Sequence, residues 1–207
     1  MKAVFIDASP KRKDSTSGVL LNALESRLPA GVEVVRLGLH AGEVPAEVPE
    51  ALTGAGALVF SCPLYVDALP SHLLSCLEQL EKAGERPGPV VYALVNCGFY
   101  EGVQAGRALE VFQNWCAKAG LAWGGGLGIG GGGAIQGLPA TGKGPMAPVC
   151  RALGELGERL SRRETGANAY LSIAFPRMLY RLAGQLGWRQ QIRRNGGRAA
   201  DLGQRPQ

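Results

Sequence analysis

Ala3-Val4-Phe5-Ile6-Asp7-Ala8-Ser9-Pro10-Lys11-Arg12-Lys13-Asp14-Ser15-Thr16-Ser17 joins three kinds of sequence without a break. Residues 3–7 are an apolar run of strand length that ends on a carboxylate. Residues 8–17 are a loop of hydroxyls and cations. Beyond them Leu20, Leu21, Leu24 and Leu28 repeat at helical steps over residues 17–28. Strand, polar loop and amphipathic helix in that order form the first half of a βαβ unit.

The same alternation continues outward. Further apolar runs lie at 32–37, 57–61 and 90–95, with a weaker, glycine-rich one at 121–129. Runs 3–7, 57–61 and 90–95 are almost continuously apolar, as expected of parallel strands covered on both faces. Between them, Leu73, Leu74, Leu77 and Leu80 mark a helix over 70–83. Leu109, Phe112, Trp115, Cys116 and Ala119 mark one over 102–119. Met146, Val149, Cys150, Leu153, Leu156 and Leu160 mark one over 146–162. Segment 38–56 reads as loop with a short helix near 48–54. Pro29-Ala30-Gly31, Pro87-Gly88-Pro89 and Gly120 punctuate the exits. The order predicts an open, doubly wound α/β sheet with the first strand central. The pattern stops after residue 163. A separate helix is expected at 176–186, starting at Pro176 and stopping near Gly187. The expected division is therefore a core of 1–163 and a basic helical extension of 164–207.

A chain of 207 residues suffices for one well-buried domain plus an appendage. The five cysteines (62, 76, 97, 116 and 150) form no CxxC and stand at no zinc-finger spacing to His40 or His72. An odd, scattered set suits reduced thiols, so a cytoplasmic location is expected. The first residues carry no secretory pattern, and no metal site is expected. The net charge of +5 is uneven. Residues 177–207 hold seven arginines and one acid, Asp201, whereas residues 1–176 sum to −1.

In doubly wound sheets, ligands bind outside the carboxyl ends of the strands. The loop after the first strand gathers four hydroxyls and three cations at a helix start, where unpaired N–H groups and the helix dipole favour a phosphate. It reads equally as a hydrophilic loop in which Ser15, Thr16 or Ser17 is an ordinary N-cap. The loop after the third strand, Cys62-Pro63-Leu64-Tyr65-Val66-Asp67-Ala68-Leu69-Pro70, is apolar and aromatic. It suits either a planar ring or a buried corner. After the fourth strand come Asn96-Cys97-Gly98-Phe99-Tyr100-Glu101-Gly102, a small-residue turn with two aromatics and a carboxylate. Matching chemistry in three loops at one end of a sheet is a stronger signal than any one loop.

Ser9-Pro10-Lys11 followed by Ser15-Thr16-Ser17, then Pro63-Leu64-Tyr65-Val66-Asp67 with Leu69-Pro70, resembles the flavodoxin-like NAD(P)H-dependent FMN reductase superfamily. The turn Asn96-Cys97-Gly98 is similar to that family's third flavin loop. Pro176-Arg177, Tyr180, Gly187-Trp188 and Asn195-Gly196 resemble an extension found in some flavodoxin-family proteins of bacteria. The resemblance implies a flavodoxin-like three-layer sandwich with a five-stranded parallel sheet in the order 2-1-3-4-5. It also implies FMN as cofactor and NAD(P)H as reductant. In that picture Ser9, Lys11, Ser15, Thr16 and Ser17 hold the FMN phosphate, and Pro63, Leu64, Tyr65 and Val66 wrap the isoalloxazine. Asn96, Cys97, Gly98 and Tyr100 line its other edge. Asp14, where the family often has glycine or asparagine, is expected to point to water. No catalytic acid or base is nominated, because hydride transfer between stacked rings needs orientation more than proton transfer.

Two glycine motifs are read as decoys. Gly128-Ile129-Gly130-Gly131-Gly132-Gly133 matches GxGxxG, but no sixth strand is expected to complete a dinucleotide unit. Gly137 to Gly144 falls one residue short of a P-loop and lacks the final hydroxyl. Both are expected to belong to one mobile loop beside the flavin. The electron acceptor could be a quinone, a nitro or azo compound, a flavin or a protein, and a homodimer is expected. One alternative is a flavodoxin-type electron carrier, which the near-neutral core counts against. The other is an interaction protein whose arginine-rich tail mediates assembly or contact with a membrane surface. No nucleic-acid-binding motif occurs in that tail.

Overall fold

The computed structural model describes residues 1–83 and 88–203 and divides into two compact units, Met1–Ala174 and Phe175–Gln207. Of the expected helix exits, Pro87 lies outside the described residues.

The first unit is built on β1 (Lys2–Asp7), β2 (Glu33–Gly38), β3 (Ala57–Pro63), β4 (Val90–Asn96), β5 (Trp123–Gly130) and β6 (Ala169–Ser172). All pairings are parallel, and the order is β2-β1-β3-β4-β5-β6. The expected five-stranded sheet is thus corrected to six strands. The sixth lies in the stretch read as the start of the extension. Ala169-Tyr170-Leu171-Ser172 is only four residues long and half-exposed at the sheet edge, so it carries neither a continuous apolar run nor a clean alternation. Its strand character comes from pairing with β5, Leu127 opposite Ala169 through Gly130 opposite Ser172.

Helices α1 (Thr16–Glu25), α2 (Glu47–Leu52), α3 (Ser71–Ala83), α4 (Gly106–Ala119), α5 (Gly132–Ile135) and α6 (Ala147–Ser161) connect the strands. Helix α1 packs with α6 and α3 with α4, each pair with the sheet. Residues 102–105 form a 3₁₀ turn ahead of α4 rather than its first turn. Under α3 and α4, Phe60 meets Phe112 at 5.3 Å and Trp115 edge-on at 5.9 Å. The Trp115 indole N–H donates to the Leu77 carbonyl at 2.8 Å. Helix α4 ends on Gly120 at φ +67, with Leu121 N–H bonding back to the Cys116 carbonyl at 2.8 Å. Gly120 therefore serves as the expected stop.

The glycines of β5 are used for close approach. A Cβ on Gly128 or Gly130 would collide with the backbone of Gly102 or Tyr100, and one on Gly102 would meet the Leu171 and Gly128 carbonyls. The turn before α4 therefore lies directly on the strand. The GxGxxG reading needs one correction: a sixth strand does follow. Gly128 and Gly130 nevertheless sit inside β5, and only a four-residue helix succeeds them. Gly132–Ile135 is likewise a helical turn rather than open loop. Around the bulge at Gly125, the Asn168 side-chain oxygen accepts from the Trp123 indole at 3.1 Å and from Gly126 N–H at 3.0 Å.

In the second unit, α7 (Arg177–Arg194) is an 18-residue helix. It runs through Gly184 and Gly187 and does not stop near Gly187, because one helical glycine costs only about 1 kcal/mol relative to alanine. The actual stop is Gly196, at φ +79. Gly196 N–H bonds the Arg193 carbonyl and Gly197 N–H the Ile192 carbonyl, a Schellman end. Among the described residues no helix is long and apolar enough to cross a membrane.

Asn168→Ala is expected to lower stability by about 1–3 kcal/mol, because it orphans the Trp123 and Gly126 donors together. Urea unfolding measures this, and an unchanged midpoint would show that water replaces the amide.

Candidate functional site at the carboxyl ends of the strands

The loop after β1 is organised from beneath by Asp7. Asp7 Oδ1 accepts from Ser9 N–H at 3.0 Å, and Oδ2 accepts from the Ser15 hydroxyl at 2.6 Å. One carboxylate thus ties the two ends of a seven-residue loop. Ser9 is held on two sides: its hydroxyl oxygen accepts from Lys11 N–H at 3.2 Å, and its carbonyl accepts from His40 Nδ1 at 2.6 Å. The carbonyl can only accept, so His40 carries a proton on Nδ1. The His40 ring lies over Gly38, where a Cβ would collide with it.

Ser15 is the N-cap of α1, accepting from Gly18 N–H at 2.8 Å. The amides of Thr16 and Ser17, in the first turn, have no carbonyl of their own helix to bond. Exposed Lys11, Arg12 and Lys13 surround this helix start. Lys11 Nζ reaches the Asp14 carbonyl at 3.3 Å, as Gln136 Nε2 does at 2.5 Å. Asp14 is exposed and sits at φ +51, a conformation that aspartate tolerates.

After β3, Leu64 is buried and its N–H donates to the Asn96 carbonyl at 2.7 Å. Tyr65 and Ala68 exchange both backbone hydrogen bonds at 3.0 Å. The two residues between them, Val66 at φ +48 and Asp67 at φ +61, are both left-handed, as in a type I′ turn. For a β-branched residue this is a strained conformation, and Val66 is 98 % exposed. Tyr65, half-exposed, stands beside it.

After β4, Asn96 is only 6 % exposed. Its amide donates to the Ser17 hydroxyl oxygen at 3.1 Å and to the Cys62 carbonyl at 3.0 Å. Cys97 is buried, with Sγ near the carbonyls of Phe99 and Glu101, and burial pushes its thiol up to about 11. Burial likewise raises Cys62 beneath the site, with the Asp7 charge adding to the shift. Both are therefore protonated thiols at neutral pH, with no nucleophilic character. Tyr100 donates to the Ile173 carbonyl at 3.4 Å. Phe99 is exposed, and open space lies where a Gly98 side chain would be. The turn after β5 closes the arrangement: Gly132 N–H bonds the Cys97 carbonyl at 2.8 Å, and the Thr16 hydroxyl reaches the Gly132 carbonyl at 3.4 Å.

The expected residues thus divide into two sets. Lys11, Thr16, Pro63, Tyr65 and Val66 keep at least partly exposed side chains, and Gly98 leaves open backbone. Ser9, Ser15, Ser17, Leu64, Asn96 and Cys97 are buried, and their polar side chains are engaged with the protein itself. Tyr100 is half-buried against Ile173. What the loops offer a ligand is a row of backbone donors beside three cations, next to an exposed apolar turn. Asp7 and His40 escaped the sequence reading. The Asp-x-Ser order, typical of an Asx turn, was a usable signal for the first. Nothing local marks the second, because β2 is brought beside β1 only by the fold.

No protein-family model and no curated protein matches the sequence. Solved structures do match. Rubredoxin oxygen:oxidoreductase from the anaerobe Desulfovibrio gigas is 13 % identical, with a TM-score of 0.55 over 78 % of this chain. This chain spans only 35 % of that larger protein. An NADH:FMN oxidoreductase in its apo form is 16 % identical with a TM-score of 0.57, covering 79 % of this chain and 94 % of its own. A flavodoxin from Streptococcus pneumoniae TIGR4 is 13 % identical with a TM-score of 0.55, covering 79 % and 99 %. The strand order, the helices on both faces and these likenesses together give the chain a flavodoxin-like fold.

Proposed function

We propose that this chain binds FMN across the three loops and passes reducing equivalents from NAD(P)H to a second acceptor. The observation that carries the reading is the pairing of two unlike surfaces at one end of the sheet. A cationic helix start suits a dianion, and an exposed, strained apolar turn suits a flat ring. The phosphate would meet the backbone amides of residues 12–17, the Lys11 ammonium and the Thr16 hydroxyl. The Ser9, Ser15 and Ser17 hydroxyls hold the loop in shape instead. Tyr65, Val66 and the Gly98 backbone would bound the ring. Bound flavin would supply the hydride and electron chemistry, and the protein supplies orientation and exclusion of water.

His40 is part of this reading as a positioning residue. It fixes the Ser9 carbonyl, and with it the Ser9–Pro10 peptide from which the rest of the loop departs. Val66 is the second particular residue, since strain in an exposed side chain persists where a ligand contact repays it.

The purified protein is expected to show a flavin spectrum, or to acquire one on incubation with FMN, and to bleach on anaerobic titration with NADH or NADPH. A flavin that stays oxidised would leave an electron carrier, as among the flavodoxins that the fold resembles. No flavin uptake would overturn the proposal.

Val66→Asn is expected to raise thermal stability by up to about 1 kcal/mol, because asparagine tolerates positive φ, while weakening flavin binding. Calorimetry and flavin titration of the same variant check both parts. His40→Ala is expected to weaken FMN binding roughly tenfold, the scale of one lost hydrogen bond, and to leave riboflavin binding unchanged. Equal losses for both ligands would make His40 merely structural.

A further inference from the structure

Helix α7 has a composition that the flavin reading does not use. Its 18 residues include five arginines and no acid. The one acid of the tail, Asp201, accepts from Arg198 N–H at 2.7 Å. Met178, Leu179, Leu182 and Leu186 repeat at three- and four-residue steps along one side, and none of the helix is buried. Met178 is 81 % exposed, and Trp188, ten residues further on, is 60 % exposed. The leucine row gives way to charge: steps of three and four from Leu186 lead to Arg189 and Arg193, with Arg194 beside them. Among the described residues, none of these three arginines makes an ion pair. Near the helix start a shallow recess is lined by Arg177, Met178, Arg181, Leu182 and Gln185, placing guanidinium and apolar groups side by side.

We propose that α7 docks this protein on an anionic lipid surface, its leucine-bearing first half against the apolar boundary and its arginine-bearing second half against the phosphates. Charge complementarity selects the occupant. The tail carries +6 and the remainder of the chain only −1, so two tails repel, and a second copy offers little negative charge to balance them. A nucleic-acid backbone would satisfy the arginines but leave four large apolar side chains in water. A lipid surface takes both: the acyl boundary receives Met178, Leu179, Leu182 and Leu186 of the first half of the helix, and the phosphates receive Arg189, Arg193 and Arg194 of the second. With five arginines α7 does not cross the bilayer. The inference is independent of the flavin reading.

The test is co-sedimentation of the full-length protein with vesicles of phosphatidylcholine alone or mixed with phosphatidylglycerol. Binding is expected only to the mixed vesicles and should fall as salt rises. The variant R189Q/R193Q/R194Q is expected to reduce it by on the order of tenfold or more. L182S/L186S should reduce it as well, with an unchanged circular dichroism spectrum. Three results would overturn the proposal. They are absence of binding to the anionic vesicles, binding that L182S/L186S leaves intact, and a melting temperature lowered by L182S/L186S without any vesicle binding. The second would mean simple charge attraction, which duplex DNA would match. The third would mean that the leucine row is packed within the protein.

Discussion

The Asp7 carboxylate is the group on which the candidate site depends. It stands at the end of β1, accepts from Ser9 N–H with one oxygen and from the Ser15 hydroxyl with the other, and thereby fixes both ends of the first loop. Its charge is at first sight misplaced beneath the site proposed for an anion. The N-terminal end of α1 and the three cations of the loop offset it, and its two hydrogen bonds are charge-assisted. The arrangement favours geometry over attraction. Serine hydroxyls that could have faced a ligand are spent on the loop, and the ligand is left with backbone donors whose positions are set in advance.

Around that anchor the other loops are linked by a few buried polar contacts. Asn96 bonds at once to Ser17 at the start of α1 and to the Cys62 carbonyl on β3, and its own carbonyl receives Leu64 N–H. His40 extends the linkage to the loop after β2, which α3 holds in turn. His72 Nε2 lies 3.1 Å from the Leu39 carbonyl, Cys76 donates to the Ala41 carbonyl, and Gln79 donates to the Gly42 carbonyl. Loops from different strands therefore behave as one preorganised surface. Preorganisation is what a bound ring and phosphate require if their ordering is not to consume the binding free energy.

The glycines of β5 supply the remaining constraint. Their missing side chains allow residues 100–102 to lie on the strand, and this brings the turn after β4 against the turn after β5. In composition these glycines look like a flexible loop. In the fold they mark rigid close contact.

How far the sequence reached can be read from particular residues. Apolar runs and leucine stripes determine the strands, the helices and the central place of β1, because burial on two faces or one leaves a local period in the chain. The basic loop at a helix start and the apolar loop after β3 were legible as candidate ligand surfaces for the same reason: their chemistry lies in contiguous residues. Strand β6 was not legible, since four half-exposed residues become a strand only through their partner. Nor was the inward turn of Ser17 and Asn96, nor the role of His40. A hydroxyl or imidazole has no preferred direction until tertiary structure decides which buried donor or carbonyl stands opposite it, and at that point the cost of leaving a buried polar group unpaired fixes its role.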